Sequence, residues 1–179
     1  MMNSNFLPKI SLTLLKQKYA TNDIQGFFDI ICQPLHEELY RRKTFDFLDD
    51  ISTGQQLILC YDYAQAQILQ GGFIQLFQNG YIGLLPEMPE RLAAIGAVKM
   101  AMLIYEVMEV YVQHKEKLDK ETNLQEFAKL YIELGEFEKL DKMFADYHYD
   151  TLTHMVKYAS EHMEEFIDPE EQGRITQPS

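Results

Sequence analysis

Apolar residues recur at intervals of three and four along most of the chain, and the alternating runs that mark strands are nearly absent. Such intervals place side chains on one face of an α-helix, whereas a strand alternates with a period of two. The pattern therefore predicts an all-α protein, which we expect to form a single compact multi-helix domain. The predicted helices span about 11–20, 23–43, 52–69, 73–78, 86–96, 98–118, 123–134, 137–147 and 149–166.

The segment 98–118 is the most apolar of these helices. Between residues 100 and 112 only Glu106 and Glu109 are charged, so other helices should cover most of its circumference. We expect it to be the central element, with the two glutamates at a narrow solvated edge. The alternative is a carboxylate pair with perturbed pKa values. However, no Glu is followed three residues on by the His that a di-metal site in a helix bundle needs.

Two glycines interrupt the helical pattern at QGGFIQLFQNG, residues 70–80. Gly71 can take the left-handed conformation that ends a helix, and Gly72 lets the next helix start close to a neighbour. We therefore predict a tight corner followed by a short helix. On that helix Gln75 and Asn79 share one face, where they are expected to satisfy backbone groups at helix ends. A ligand site built from these two amides is the alternative.

The pattern predicts one main helical domain over residues 51–167, with residues 1–50 as a helical extension packed on it. Residues 168–179 lack apolar periodicity and are expected to be disordered. The helices near 137–147 and 149–166 are predicted to pair as an acidic C-terminal hairpin. No internal repeat and no linker rich in Pro, Gly or Ser divides the chain further.

The chain carries 28 acidic residues against 16 Lys and Arg, for a net charge of -12. This charge disfavours direct binding to nucleic acid or to an anionic membrane, since both are polyanions. Residues 133–171 hold twelve carboxylates and three lysines, a net of -9. The sequence therefore predicts an acidic face in this segment. Its predicted members are Glu136, Glu138, Asp141, Asp146, Asp150, Glu161, Glu164 and Glu165.

Signatures of catalysis are missing from the sequence. The five histidines include no pair spaced by three or four, and there is no phosphate-binding glycine-rich loop, GxSxG, CxxC or HExxH motif. Cys32 and Cys60 lie in apolar helical patterns, which favours buried, reduced thiols. We therefore expect no enzyme, no cofactor and no metal site. No apolar window reaches the roughly 20 residues of a membrane span, and the amino terminus lacks signal-peptide features, so we expect a cytoplasmic protein.

The glycine corner also carries a family resemblance. The motif is Gly-Gly-Phe-x-Gln-x-Phe-x-Asn, followed by Leu-x-x-Ile-Gly-Ala and later by an acidic helical segment, here FEKLDKMFADYHYD. The matching residues are Gly71, Gly72, Phe73, Gln75, Phe77 and Asn79, then Leu92, Ile95, Gly96 and Ala97. Over about residues 50–167 the chain resembles the bacterial family DUF4375, a domain of unknown function named for the carboxy-terminal domain of a DNA-mimic protein. The departures from the family pattern are Gln67, Leu69, Gln70 and Leu76.

The resemblance implies an acidic helical protein that presents carboxylates where duplex DNA has phosphates. Its partner would be a basic protein such as a DNA-binding regulator. Residues 133–171 would span roughly 58 Å as one helix at about 1.5 Å per residue. Their net charge then gives one charge per roughly 6.5 Å, against about 1.7 Å for duplex DNA. A hairpin would halve that length, and a homodimer would align two such surfaces.

Two alternatives stay open. One is a structural or accessory helical domain whose acidity serves solubility only. The other is a small-molecule or metal-dependent enzyme that uses Glu106, Glu109 or the pair of Gln75 and Asn79. A contiguous acidic face would favour DNA mimicry over the accessory domain. A closed, dry core around Glu106, Glu109 and Gln75 would remove the enzyme.

Overall fold

The chain folds almost entirely into helices. The structure, a computed structural model, describes residues 6–169 and is 80% helical, so the all-α prediction is confirmed. The α-helices are α1 (Leu12–Ala20), α2 (Ile24–Arg42), α3 (Thr53–Gln78), α4 (Met88–Ala94), α5 (Val98–Leu118), α6 (Leu124–Glu133) and α7 (Glu136–Glu161). Helix α2 continues through Pro34.

Short 3-10 turns lie at Phe45–Asp50, Tyr81–Leu84 and Met163–Glu165. A parallel pair of two-residue strands joins β1 (Lys9–Ile10) to β2 (Asp168–Pro169). The sequence did not predict this pair, because two residues are too few to show alternation. Residues 170–179 of the predicted disordered tail lie outside the described part of the chain.

Side-chain caps fix the starts of several helices. Ser11 caps α1 by accepting a hydrogen bond from the backbone N–H three residues on. Asn123 and Glu126 form a capping box at the start of α6. A second capping box starts α3, where Ser52 Oγ accepts from the Gln55 N–H at 3.1 Å and Gln55 Oε1 accepts from the Ser52 N–H at 2.9 Å.

The chain divides into two compact units, and the division falls within α3 and α7. Among the described residues, the terminal unit contains 6–55 and 156–169, and the central unit contains 56–155. The predicted boundary after residue 50, and the packing of an N-terminal extension on the main domain, stay predictions.

In the terminal unit, α1 packs against α2, and an ion network closes the end of α2. Arg42 Nη1 lies 2.5 Å from Asp50 Oδ2, and its guanidinium carbon lies 4.8 Å from the centre of the Phe47 ring. Hydrogen bonds from Arg41 and Arg42 lower the pKa of Glu38 to about 2. The four charged side chains of this network therefore neutralise one another.

Helix α5 spans the residues predicted for the central helix, but it is covered on one side only. Its buried side chains include Met100, Ala101, Leu103, Ile104, Val107 and Tyr111. By contrast, Val98, Met102, Tyr105 and Val112 are 52%, 67%, 52% and 68% exposed. The prediction that other helices cover most of its circumference is therefore wrong, because apolar periodicity does not reveal which face has neighbours.

Helix α7 is unbroken, so the predicted break near residues 148–149 is wrong. The helix contains no Gly or Pro that would end it. Phe144 and Leu152 are buried on either side of the predicted break, and the half-buried His148 lies between them on the same face. The acidic segment is therefore one long helix followed by a short turn, not an antiparallel hairpin.

A buried contact holds His148 in the central unit. Tyr61 is completely buried, its hydroxyl oxygen lies 2.9 Å from His148 Nδ1, and the two rings stack with centroids 5.9 Å apart. Burial lowers the pKa of His148 below its ordinary value, and the charge of Asp62 opposes part of this shift. The histidine is therefore favoured in its neutral form.

We predict that acid destabilises the protein partly through His148. A histidine whose pKa is lower in the folded than in the unfolded chain costs stability as the pH falls below its unfolded value of about 6.5. The denaturant midpoint of the wild type should drop more between about pH 7.5 and about pH 5.5 than that of H148Q, whose amide can still contact Tyr61. Equal drops in the two proteins would contradict this assignment.

Candidate functional site

Helix α3 breaks at the predicted glycine corner. Gly71 has φ -148° and ψ 21°, and Gly72 has φ 73° and ψ -178°, so neither is helical. The corner is confirmed, but Gly72 rather than Gly71 holds the positive φ. The conformation of Gly72 is nearly exclusive to glycine. A short helical segment follows and ends at Gln78.

Asp141 on α7 caps this short helical segment. Its Oδ1 accepts a hydrogen bond from the Phe73 N–H at 2.8 Å, and a Cβ at Gly72 would lie 2.3 Å from its Oδ2. Burial raises the pKa of Asp141, the Phe73 N–H lowers it, and the charge of Glu138 raises it further. Asp141 was predicted to face a partner, but its half-buried carboxylate faces the corner instead.

A second contact ties α6 to the same corner. The Tyr131 hydroxyl donates a hydrogen bond to the Gly71 carbonyl oxygen at 2.5 Å. This carbonyl belongs to the break in α3, where the regular intrahelical bonding is interrupted. Burial raises the pKa of Tyr131, and so does the charge of Asp141. The corner is therefore held from α6 and α7 at once.

The two motif phenylalanines are core residues of the central unit. The Phe73 ring meets the Phe144 ring edge to face with centroids 5.7 Å apart. The Phe77 ring centre lies 5.7 Å from that of Phe137 and 4.8 Å from that of Tyr111. These contacts join the short segment to α5 and α7, and such aromatic pairs add about 0.5–1.5 kcal/mol each beyond area burial.

The motif amides form a side-chain cluster at the surface. Gln75 Nε2 donates to Gln67 Oε1 at 3.2 Å and to Gln70 Oε1 at 3.0 Å. Asn79 Nδ2 donates to the same Gln67 oxygen at 2.6 Å. The prediction that Gln75 and Asn79 satisfy backbone groups is therefore wrong.

The side-chain amide that bonds to backbone carbonyl groups is that of Gln78. The sequence did not predict this role. Gln78 Nε2 donates to the carbonyl oxygens of Leu118 at 2.5 Å and Lys120 at 3.2 Å, and its Oε1 accepts from the Thr122 hydroxyl at 2.6 Å. Gln78 thereby binds the carbonyl group of the last residue of α5, which has no helical partner, and one carbonyl group just beyond the helix. No local pattern marks this role, because its contacts lie about forty residues downstream.

Gly96 ends α4 near the predicted position. Its φ is 90°, and its N–H donates to the Ala93 carbonyl oxygen at 3.0 Å. A Cβ there would lie 3.3 Å from His154 Nδ1. The glycine therefore serves both the helix end and the close approach of α7.

The predicted acidic residues of the central unit differ in whether their carboxylates contact other side chains of the protein. Glu136 pairs with His114, and Asp150 Oδ2 lies 3.8 Å from His154 Nε2. Glu138 and Asp146 are exposed, and within residues 6–169 neither forms an ion pair. Two of these four carboxylates thus have histidine partners.

The other three predicted residues lie in the terminal unit. Glu161 and Glu164 are exposed. Glu165 Oε1 accepts a hydrogen bond from the Tyr158 hydroxyl at 2.8 Å. Burial and the neighbouring Glu165 carboxylate raise the pKa of Tyr158 to about 12. One carboxylate oxygen of Glu165 is therefore engaged in an internal hydrogen bond.

The exposed face of α7 in the central unit is mixed in charge. Lys139 and Lys142 are exposed and stand seven and four residues before Asp146, spacings that put all three on one side of the helix. Asp150 follows after one further turn. The segment from Glu136 to Asp150 holds five acids and two lysines, a net of -3. This side of the helix is not uniformly acidic.

An open groove lies beside α5. It has a volume of about 540 Å³ and is lined by Lys99, Met102, Leu103, Tyr105, Glu106, Glu109, Met143 and Tyr147. Glu106 and Glu109 are both exposed, as the predicted solvated edge requires. They border an open groove rather than the closed, dry core that would have removed a ligand site there.

These observations define a class of acidic all-α protein. One helix of its central unit is broken, and the segment after the break is capped by a carboxylate and packed in an aromatic core. The chain belongs to the DMP19-like protein family, which matches residues 49–162, more than half of its length. No curated protein gives a significant match. Among the described helices, none is both long enough and apolar enough to cross a membrane.

We predict that G72A loses roughly 2–4 kcal/mol of unfolding free energy, from backbone strain and from displacement of the Asp141 carboxylate. G83A is the matched control, because a Cβ at Gly83 meets no atom within 4 Å and its φ is not positive. It should stay within about 0.5 kcal/mol of the wild type. Urea denaturation measures both, and equal stabilities would show that the corner does not need glycine.

Asp141 offers a second test, which separates its hydrogen bond from its charge. D141A leaves the Phe73 N–H without its acceptor and should cost about 1–3 kcal/mol. D141N keeps an acceptor oxygen and removes a charge that burial disfavours, so its unfolding free energy near pH 7 should stay close to that of the wild type. If D141N is as unstable as D141A, the charge rather than the hydrogen bond holds the corner.

Proposed function

We propose that this protein is a cytoplasmic, non-enzymatic acidic protein that occupies the DNA-binding surface of a basic regulator. The observation that carries the proposal is membership of the DMP19-like family, which is of the DNA-mimic type. The net charge of -12 supports it, since an acidic protein attracts basic partners over long range. The finer assignment to DUF4375, suggested by the corner motif, is part of the proposal.

The exposed carboxylates of α7 are the contact residues we propose in the central unit: Glu136, Glu138, Asp146 and Asp150. Asp146 and Asp150 are about 6 Å apart along the helix axis. This is close to the advance of two phosphates along one DNA strand, at about 3.4 Å each. A basic surface that spans successive phosphates could therefore meet both carboxylates.

The lysines of α7 limit the likeness to DNA. A net charge of -3 over roughly 22 Å gives one charge per about 7 Å, several times sparser than duplex DNA. Lys139 and Lys142 cause part of this difference. Under the proposal they weaken association with a basic partner, and carboxylates outside α7 contribute to it.

An accessory domain whose acidity serves solubility is the second candidate. The mixed charge of the α7 face favours it, because alternating charges suit a solvated surface. The two candidates differ in one respect that can be measured. A DNA mimic competes with DNA for a regulator, whereas an accessory acidic surface does not.

We predict that the full chain displaces a labelled operator duplex from at least one DNA-binding regulator of its native cell, measured by fluorescence anisotropy. The double variant E138K/D146K should weaken displacement about three- to tenfold, since it reverses two exposed charges. Raising the salt from about 50 mM to about 200 mM should weaken it as well.

The variant K139Q/K142Q is the matched control, because it changes two exposed charges on the same face in the opposite sense. It should displace the duplex more strongly than the wild type. Displacement that is unaffected by salt and by the sign of the charge changes would contradict the proposed contact at α7. A complete screen without displacement would favour the accessory domain.

A further inference from the structure

The exposed face of α5 carries a stripe that the acidic-face proposal does not use. Val98, Met102, Tyr105, Glu109 and Val112 follow one another at intervals of four and three, so they form one line along the helix. The four apolar members of this line are each more than half exposed. Single exposed apolar residues are common, but several large ones along one side of a helix are typical of a binding surface.

This stripe borders the groove between α5 and α7. Met102 and Tyr105 contribute from α5, and Met143 and Tyr147 from α7. The volume of about 540 Å³ lies within the roughly 300–1,000 Å³ typical of binding pockets. Methionine side chains are flexible and polarisable, so a groove with two of them can adapt to the apolar side chains of a partner.

The charges at the groove select the occupant. Glu106 and Glu109 are exposed, and neither is paired with a basic residue in the part of the chain that the structure describes. The basic residue of the groove lining, Lys99, has its amine 5.9 Å from the centre of the Tyr147 ring. The groove thus offers apolar walls and two unneutralised carboxylates.

We propose that this groove binds a basic amphipathic helix of a partner protein. Apolar residues of that helix, spaced by three and four, would pack against Met102, Tyr105 and Met143. Lysine or arginine residues beside its apolar stripe would contact Glu106 and Glu109. A second copy of this chain fits less well, because pairing two α5 faces brings these glutamates of both copies together in a chain of net charge -12. The proposal does not depend on DNA mimicry by α7.

The test uses the full chain and three labelled peptides of about eighteen residues. The probe has leucines at helical spacing with lysines on both flanks of the stripe. The first control scrambles the same residues so that no apolar face forms, and the second keeps the leucines but replaces lysine by glutamate. Fluorescence anisotropy near physiological salt should give affinities at least tenfold weaker for each control peptide. Equal binding of the scrambled peptide would show that net charge alone drives the interaction, and it would overturn the proposal.

Variants of the chain then locate the site. M102S/Y105S removes exposed apolar surface, and E106Q/E109Q removes the two carboxylates; each should weaken probe binding at least tenfold. E90Q/E121Q makes the same charge change at exposed residues outside the groove lining and outside α7, and it should alter binding less than twofold. Because all six positions are exposed, unchanged denaturation midpoints should confirm that each variant is folded. Equal losses in the groove and control variants would overturn the assignment.

Methyl-labelled methionine gives a direct readout of the bound surface. On addition of the probe peptide, the NMR signals of Met102 and Met143 should shift, while the buried Met155 should keep its signal. Shifts that spare both groove methionines would contradict the proposal. The groove variants should still displace DNA from a regulator if α7 acts as proposed, so failure of one proposal leaves the other distinguishable.

Discussion

The hydrogen bond from the Phe73 N–H to the Asp141 carboxylate is the contact on which the central unit depends. It exists only because residue 72 has no side chain, since a Cβ there would occupy the space of the carboxylate. The bond fixes the direction in which α3 resumes after its break. That direction carries Phe73 and Phe77 into the aromatic core shared with α5 and α7. A conformational requirement at one glycine thereby sets the packing of three helices.

Much of the fold follows from local signals in the sequence. The intervals of three and four predicted most of the helices, and the glycine pair predicted the corner. Asp141 and Gln78 could not be assigned in the same way, because their bonds join residues 68 and about forty positions apart. The break in α7 was predicted wrongly, and its sequence contains no residue that would stop the helix there.

The acidity of the chain illustrates the same limit. A sequence counts every carboxylate equally, whereas the structure distinguishes them by their neighbours. Asp141 closes the corner, Glu136 pairs with His114, and Glu165 accepts from Tyr158. Meanwhile Glu106 and Glu109, which the sequence suggested as a solvated edge, lie beside an apolar groove without a basic partner among residues 6–169. The carboxylates that we propose as contacts are therefore divided between α5 and α7, and net charge alone could not have located them.

The glycine corner and the residue that caps it are far apart in the sequence, and this separation bears on the order of folding. The segment from Phe73 to Gln78 is under two turns long, too short to form a stable helix by itself in water. Its cap comes from a residue 68 positions later, so a long loop must close before the bond can form. We therefore expect the most recognisable stretch of the sequence to acquire its structure late, after α7 has packed, rather than to be a nucleus around which the other helices assemble.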